Sequence, residues 1–177
     1  MTGKEKKTIV RKWFEMVVDT YPADTSRFLK GQKDPFANPV GSTTIRNLEA
    51  LFDELLKPET DLQAFDSFLD PIIRIRAVQT VLAPAQAVGF TYFLKKVIRE
   101  ELKGALSGED DLNALLAFEL KIDDLSLTAF NIYTKCREAV SQLRVNLERN
   151  RIYKAFSRAG LVDEIPDDGP DLKEEKQ

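Results

Sequence analysis

The apolar positions recur at three- and four-residue intervals almost throughout the chain, the spacing of one buried stripe on an α-helix. Ile9, Trp13, Val17 and Tyr21 predict a first helix over residues 4–20, ended by Pro22. A linker, "PADTSRFLKGQKDPFANPVGSTT", follows. It holds Pro22, Pro35, Pro39, Gly31 and Gly41, with a short helix around Ser26–Lys30. A long loop needs anchoring, and Phe36 and Val40 are its apolar candidates. Ser42, Thr43 or Thr44 caps the next helix, whose face is Leu48, Leu51, Phe52 and Leu55. From about Glu59 a further helix carries Leu62, Phe65, Leu69, Ile72 and Ile73, with Pro71 kinking or restarting it.

Pro84 opens a helix expected to run from Ala85 to about Lys103, with Ala87, Thr91, Leu94 and Ile98 inward. "LSGEDD" reads as a turn, after which Leu112, Leu115, Leu116 and Ile122 form one more face. Asp123-Asp124 reads as the N-cap of a last helix from Leu125 to Arg158, and Gly160 as its left-handed cap with Leu161 beside it. No alternating β pattern and no repeat interrupts this series. The expectation is an all-α domain of six to seven helices over residues 1–161, and a polar, disordered tail over 162–177.

Charge divides the chain in the same place. Residues 163–177 hold seven acids and two lysines, a net −5, which leaves the rest at +2 within the total of −3. A near-neutral body argues against nucleic acid as the main partner. No apolar run is long enough to span a bilayer, and the basic N-terminus lacks the apolar stretch of a secretory signal. One cysteine fits a reducing compartment, so a cytoplasmic location is expected.

The composition also narrows the chemistry. Histidine is absent, which removes the usual neutral-pH acid/base, the commonest metal ligand and Ser-His or Cys-His nucleophile machinery. No nucleotide or CxxC motif is present. No catalytic residue, metal or cofactor is expected. Cys136 falls on an apolar seam and reads as a buried inert thiol, with a redox-sensing thiol or haem thiolate as the alternative.

"DPIIRIRAVQ" contains two arginines of different helical phase. Arg74 lies four residues after Asp70 and pairs with it at the surface. Arg76 falls on the stripe of Phe65, Leu69, Ile72 and Ile73, so it needs polar partners inside the core. Glu119 is the acid out of place on an apolar stripe, and an Arg76–Glu119 ion pair or shared network is the expected arrangement. A buried anion or small-ligand pocket using Arg76, and simple exposure, are the alternatives. In the last helix Tyr133, Cys136, Val140, Leu143, Leu147 and Asn150 form an a/d seam, which either pairs with a second copy or packs inside the domain. Beside it Arg137, Arg144, Arg151 and Arg158 recur every seven residues. They read either as a solvated face or as a surface for an acidic partner, the chain's own tail being one candidate.

"IVRKWFEMVVDTYP", "DPFANPVGSTTIRNLEALFDELL" and "DPIIRIRAVQTVLAPAQAVGFTYFLKKVIREEL" together resemble the RsbRD-type N-terminal domain, the sensor half of RsbR-like co-antagonists in bacterial stress signalling. The likeness spans about Ile9 to Phe156. It implies a non-enzymatic, globin-like helical sensor that need not bind haem, forms homodimers, and passes its input through a long final helix to a STAS output domain and a switch kinase. No segment of output-domain size follows Leu161, so a freestanding module is expected, and the family's output phosphorylation sites have no counterpart here. A globin-like carrier or sensor of a small ligand near Arg76 is the alternative.

Overall fold

The computed structural model describes residues 2–104 and 108–161, apart from the side chain of Leu62. The expected disordered tail lies outside the described residues, as does part of the predicted "LSGEDD" turn. Seven α-helices and one 3-10 turn account for the described chain, and it contains no strand. In chain order they are α1 (Gly3–Val18), α2 (Ala23–Gly31), α3 (Pro39–Leu55), α4 (Leu62–Ala77), α5 (Pro84–Gly89), a 3-10 turn (Phe90–Tyr92), α6 (Phe93–Glu101) and α7 (Glu109–Arg158). The protein is all-α. Its contacts divide it into two units, Met1–Glu138 and Ala139–Gln177.

In the first unit α1 packs against α2, α3 and α6, and α3 packs against α4. Their buried faces follow from the spacing: Ile9, Trp13 and Val17 from α1; Leu48, Leu51, Phe52 and Leu55 from α3; Phe65, Leu69, Ile72 and Ile73 from α4. Trp13 is fully buried, and its Nε1 donates to the Phe90 carbonyl at 2.8 Å. That bond satisfies the one polar atom of the largest core side chain. Ala87, Thr91, Leu94 and Ile98 are all buried, although their segment is broken into α5, the 3-10 turn and α6.

Three expectations about the elements are corrected. Phe36 does not anchor the linker, being 96% exposed. Asn38 does so instead. It is buried; its Nδ2 donates to the carbonyls of Leu29 and Gln32 at 2.9 Å each, and its Oδ1 accepts from Gly41 N at 2.8 Å. Asn38 is therefore the N-cap of α3, with Pro39 in the first turn, in place of Ser42, Thr43 or Thr44. A Cβ on Gly41 would collide with the Asn38 side chain, so this glycine permits the close approach.

Second, α4 does not restart at Pro71 but runs through it, capped by Asp61, whose Oδ1 accepts from Gln63 N at 2.8 Å. The carbonyl that Pro71 cannot pair belongs to Ser67, an exposed residue.

Third, the two predicted C-terminal helices are one. No Pro or Gly interrupts residues 109–159. The positions Leu115, Phe118, Ile122, Leu125, Ala129 and Ile132 keep three- and four-residue spacing straight through Asp123-Asp124, so nothing there ends a helix. Ile122, Leu125 and Ala129 join the core, whereas Leu112 and Leu116, expected on the inward face, are each 51% exposed.

The second unit consists, where described, of the rest of α7 and its end. Gly160 takes φ +67°, Leu161 N donates to Phe156 O at 3.0 Å, and Gly160 N to Ser157 O at 3.1 Å. This is a Schellman cap. No described residue from Ala139 onward is buried.

Candidate functional site

Arg76 closes the last turn of α4 and is 1% exposed. Its expected partner does not reach it. Nε donates to Ala87 O at 3.1 Å, and Nη2 to Gln86 O at 2.7 Å and Thr20 Oγ1 at 2.9 Å. The two carbonyls lie near the C-terminus of α5, a helix of six residues that leaves its last carbonyls without helical partners. Arg76 thus caps α5, and carbonyl dipoles take the place of a carboxylate. The rings of Tyr21 and Phe90 cover the guanidinium, each centroid 5.3 Å from Cζ. Nη1 is buried and has no hydrogen-bond partner among the described residues. Burial pushes Arg76 below the usual guanidinium range and pushes the Tyr21 phenol up, with each group's effect on the other opposing that trend.

Glu119 is buried too, but in a different network. Arg99 of α6 grips it with two parallel bonds, Nε to Oε1 and Nη2 to Oε2, both 2.6 Å. The hydrogen bonding of Arg99 holds the Glu119 carboxyl below the ordinary carboxylate range, against the pull of burial. The Arg76–Glu119 pair is therefore replaced by two separate arrangements. Helical phase places a side chain on a stripe but does not say which stripe faces which. Arg99, beside the inward Ile98, was the missing partner.

Other polar residues tie α7 to the same unit. Lys121 Nζ donates to the carbonyls of Leu55, Lys57 and Pro58 where α3 ends. Asp123 accepts from Lys95 at 2.7 Å, so it serves as an ion-pair partner and not as a cap. Ser126 and Thr91 hydroxyls meet at 2.8 Å in the core. Arg137 Nη1 donates to Ala77 O at 3.2 Å, at the end of α4 and next to Arg76. Sequence reasoning also passed over Glu54, buried, which accepts from Lys57 at 2.6 Å and from Asp61 N at 3.1 Å in the α3–α4 turn.

The family model for the RsbT co-antagonist protein rsbRD N-terminal domain matches residues 7–147. The chain belongs to this family. No curated protein and no solved structure matches it significantly. The part matched to the RsbRD N-terminal domain contains Arg76, Glu119, Arg137 and Arg144 and stops before Arg151 and Arg158, while α7 continues to Arg158.

Along α7 the four spaced arginines, two inside the part matched to the RsbRD N-terminal domain and two beyond it, do not share one environment. Arg137 is tied to Ala77 O, as above. Arg144 and Arg158 are exposed, and Arg151 approaches Glu148 at 3.9 Å. The a/d seam likewise divides: Tyr133 is buried and Cys136 half-buried, but Leu143 and Leu147 are 59% and 58% exposed. Burial pushes the Cys136 thiol up, away from reactivity. Among the described residues, no group of three or more possible metal ligands converges, and no helix is long and apolar enough to cross a membrane. As Arg74 was expected to pair with Asp70, so it does, at 2.5 Å.

A cavity of about 370 Å³ is lined by Tyr21, Thr25, Phe28, Leu29, Asn38, Val40, Gln79 and Val81 with Pro22 and Pro39; it shares Tyr21 with the surroundings of Arg76, which does not line it. A second, of about 530 Å³, lies between α1, α3, α6 and the start of α7, with apolar walls and Glu5, Glu101 and Asp111 at its edge.

Proposed function

We propose that this chain is a non-enzymatic, globin-like sensor module of stress signalling that works by contact with proteins along α7. One observation carries the reading. Large apolar side chains lie exposed along the whole of this helix: Leu112, Leu116, Leu120, Leu127 and Phe130 in the first unit, and Leu143, Val145, Leu147, Ile152 and Phe156 in the second, each 47–65% exposed. Rows of this kind mark protein interaction sites. The family supplies the setting, since co-antagonism of a switch kinase is an affair of protein contacts.

We assign Leu143 and Leu147 to pairing with a second copy, and Arg144, Arg151 and Arg158 to an acidic face of a further partner, with Arg137 tying the helix to α4. In a parallel pair along that seam the arginines would meet Ala139, Asn146 and Tyr153, which leaves their charge free for that partner. Native mass spectrometry of the full chain tests the pairing. A dimer at micromolar concentration is expected, and Leu143→Asp with Leu147→Asp should convert it to monomer with helical circular dichroism unchanged. A wild-type monomer would sink the pairing.

A second reading is a carrier or sensor of a small ligand near Arg76. The cavity beside Tyr21 favours it, because its volume is in the range of about 300–1,000 Å³ of ligand pockets.

A further inference from the structure

The end of α7 carries charge that its described surroundings do not neutralise. From Ala139 to Arg158 the helix holds five basic side chains, Arg144, Arg149, Arg151, Lys154 and Arg158, and one acid, Glu148, a net +4. Among the described residues their ion pairing amounts to Arg151 with Glu148 at 3.9 Å, both exposed. The same turns carry a second apolar row. Val145, Ile152 and Phe156 share one face, with Arg149 within the row. At about 3.6 residues per turn they fall roughly opposite Leu143 and Leu147. All three are exposed, and pairing along Leu143 and Leu147 leaves them uncovered.

The helix cap sets what comes next to this row. Gly160, at φ +67°, turns the chain, and Leu161 N reaches back to Phe156 O at 3.0 Å. A cap of this kind directs the residue after the glycine toward the one whose carbonyl it meets. The chain beyond Leu161 therefore starts beside Phe156. That segment, "VDEIPDDGPDLKEEKQ", holds seven acids and two lysines, a net −5, with Ile165 and Leu172 between the acids. It follows a helix C-terminus, where unpaired carbonyls are already negative, so its acids are best placed against the basic side chains of the preceding turns. The reach suffices. Four extended residues from Leu161 to Ile165 span about 13 Å, and Phe156 to Ile152 is about 6 Å of helix.

We propose that residues 162–177 fold back along the end of α7, Ile165 against Ile152 and Phe156 and the acids on Arg149, Arg151, Lys154 and Arg158. The tether gives the segment an effective concentration on the order of millimolar, so contacts too weak to hold a free peptide keep it in place. The consequence for signalling rests on the function proposed above. Arg151 and Arg158 are assigned there to an acidic partner, and the chain's own acids occupy them until that partner displaces them. Leu143 and Leu147 face the other way, so pairing proceeds with the tail in place.

The test is a spin label on the tail of the full isotope-labelled chain, attached at Asp168→Cys with Cys136→Ser. Broadening of the amides from Arg149 to Phe156 is expected at low salt. It should fall at least about threefold in about 1 M sodium chloride, which screens charges beyond about 3 Å. Arg149→Glu with Arg151→Glu, both at exposed positions, should produce the same loss at low salt with helical circular dichroism unchanged. Repeating the measurement with Leu143→Asp and Leu147→Asp should leave the broadening in place, as contact within one chain requires. Amide replacement of Asp167, Asp168, Asp171, Glu174 and Glu175 should tighten binding of octaglutamate to the full chain about fivefold. Broadening confined to the last turn, broadening that neither salt nor the charge reversal diminishes, or broadening lost with Leu143→Asp and Leu147→Asp overturns the proposal. So does tighter octaglutamate binding without salt-sensitive broadening, which reflects net charge alone. Native mass spectrometry separates this from pairing. Tail contact in a monomeric chain leaves the tail inference and removes the pairing, and a dimer without tail contact does the reverse.

Discussion

Arg76 and Glu119 show two solutions to burying a charge. Glu119 pairs with an opposite charge whose other side faces water, so desolvation is shared unequally and the pair is held by geometry. Arg76 uses dipoles and rings. Its removal leaves the Ala87 and Gln86 carbonyls to find other donors, so Arg76→Met is expected to lower stability by about 1–3 kcal/mol in urea unfolding. The Glu119 carboxyl is lowered in the folded state, so its contribution is present above the ordinary glutamate range and is lost as pH falls through the lowered folded value. Glu119→Gln should therefore destabilise at neutral pH, and the difference from wild type should close on acidification; a gap in urea midpoint that persists at low pH would refute the assignment.

At the scale of elements, caps and interruptions decide more than apolar stripes do. Asn38 holds α2, the linker and α3 together with three hydrogen bonds. Asn38→Ala is expected to cost on the order of 2–4 kcal/mol, the loss of an N-cap plus two carbonyls left unpaired, read from thermal or urea unfolding. The signal was present in the sequence, since Asn before Pro is a cap followed by a good first-turn residue, but the polar side chain gave no hint of its burial. The apolar Phe36 was the more obvious anchor and is exposed, because an exposed single hydrophobe costs little. The stripes themselves were legible: Ile9, Trp13 and Val17, Leu48 to Leu55, and Phe65 to Ile73 are where their spacing put them. The break between α5 and α6 was not, since Ala87, Thr91, Leu94 and Ile98 face inward whether or not a 3-10 turn intervenes.

For the whole molecule, the two units should differ in protection. Amides of α7 between Glu119 and Tyr133, where buried residues recur, are expected to exchange far more slowly than those from Val140 to Arg158, where none is buried. Hydrogen exchange followed by mass spectrometry checks this, and pairing along Leu143 and Leu147 should slow the second stretch. The sequence by itself determined the helical class, the buried face of most helices, the cap at Gly160 and the absence of histidine chemistry, because periodicity, Gly and Pro placement and composition are local properties. Only the tertiary structure decided that Arg76 caps α5, that Arg99 and not Arg76 holds Glu119, that α7 is one helix, and that Leu143 and Leu147 lie uncovered. Each of these depends on which surfaces meet across the fold, and a helical phase angle carries no information about its partner.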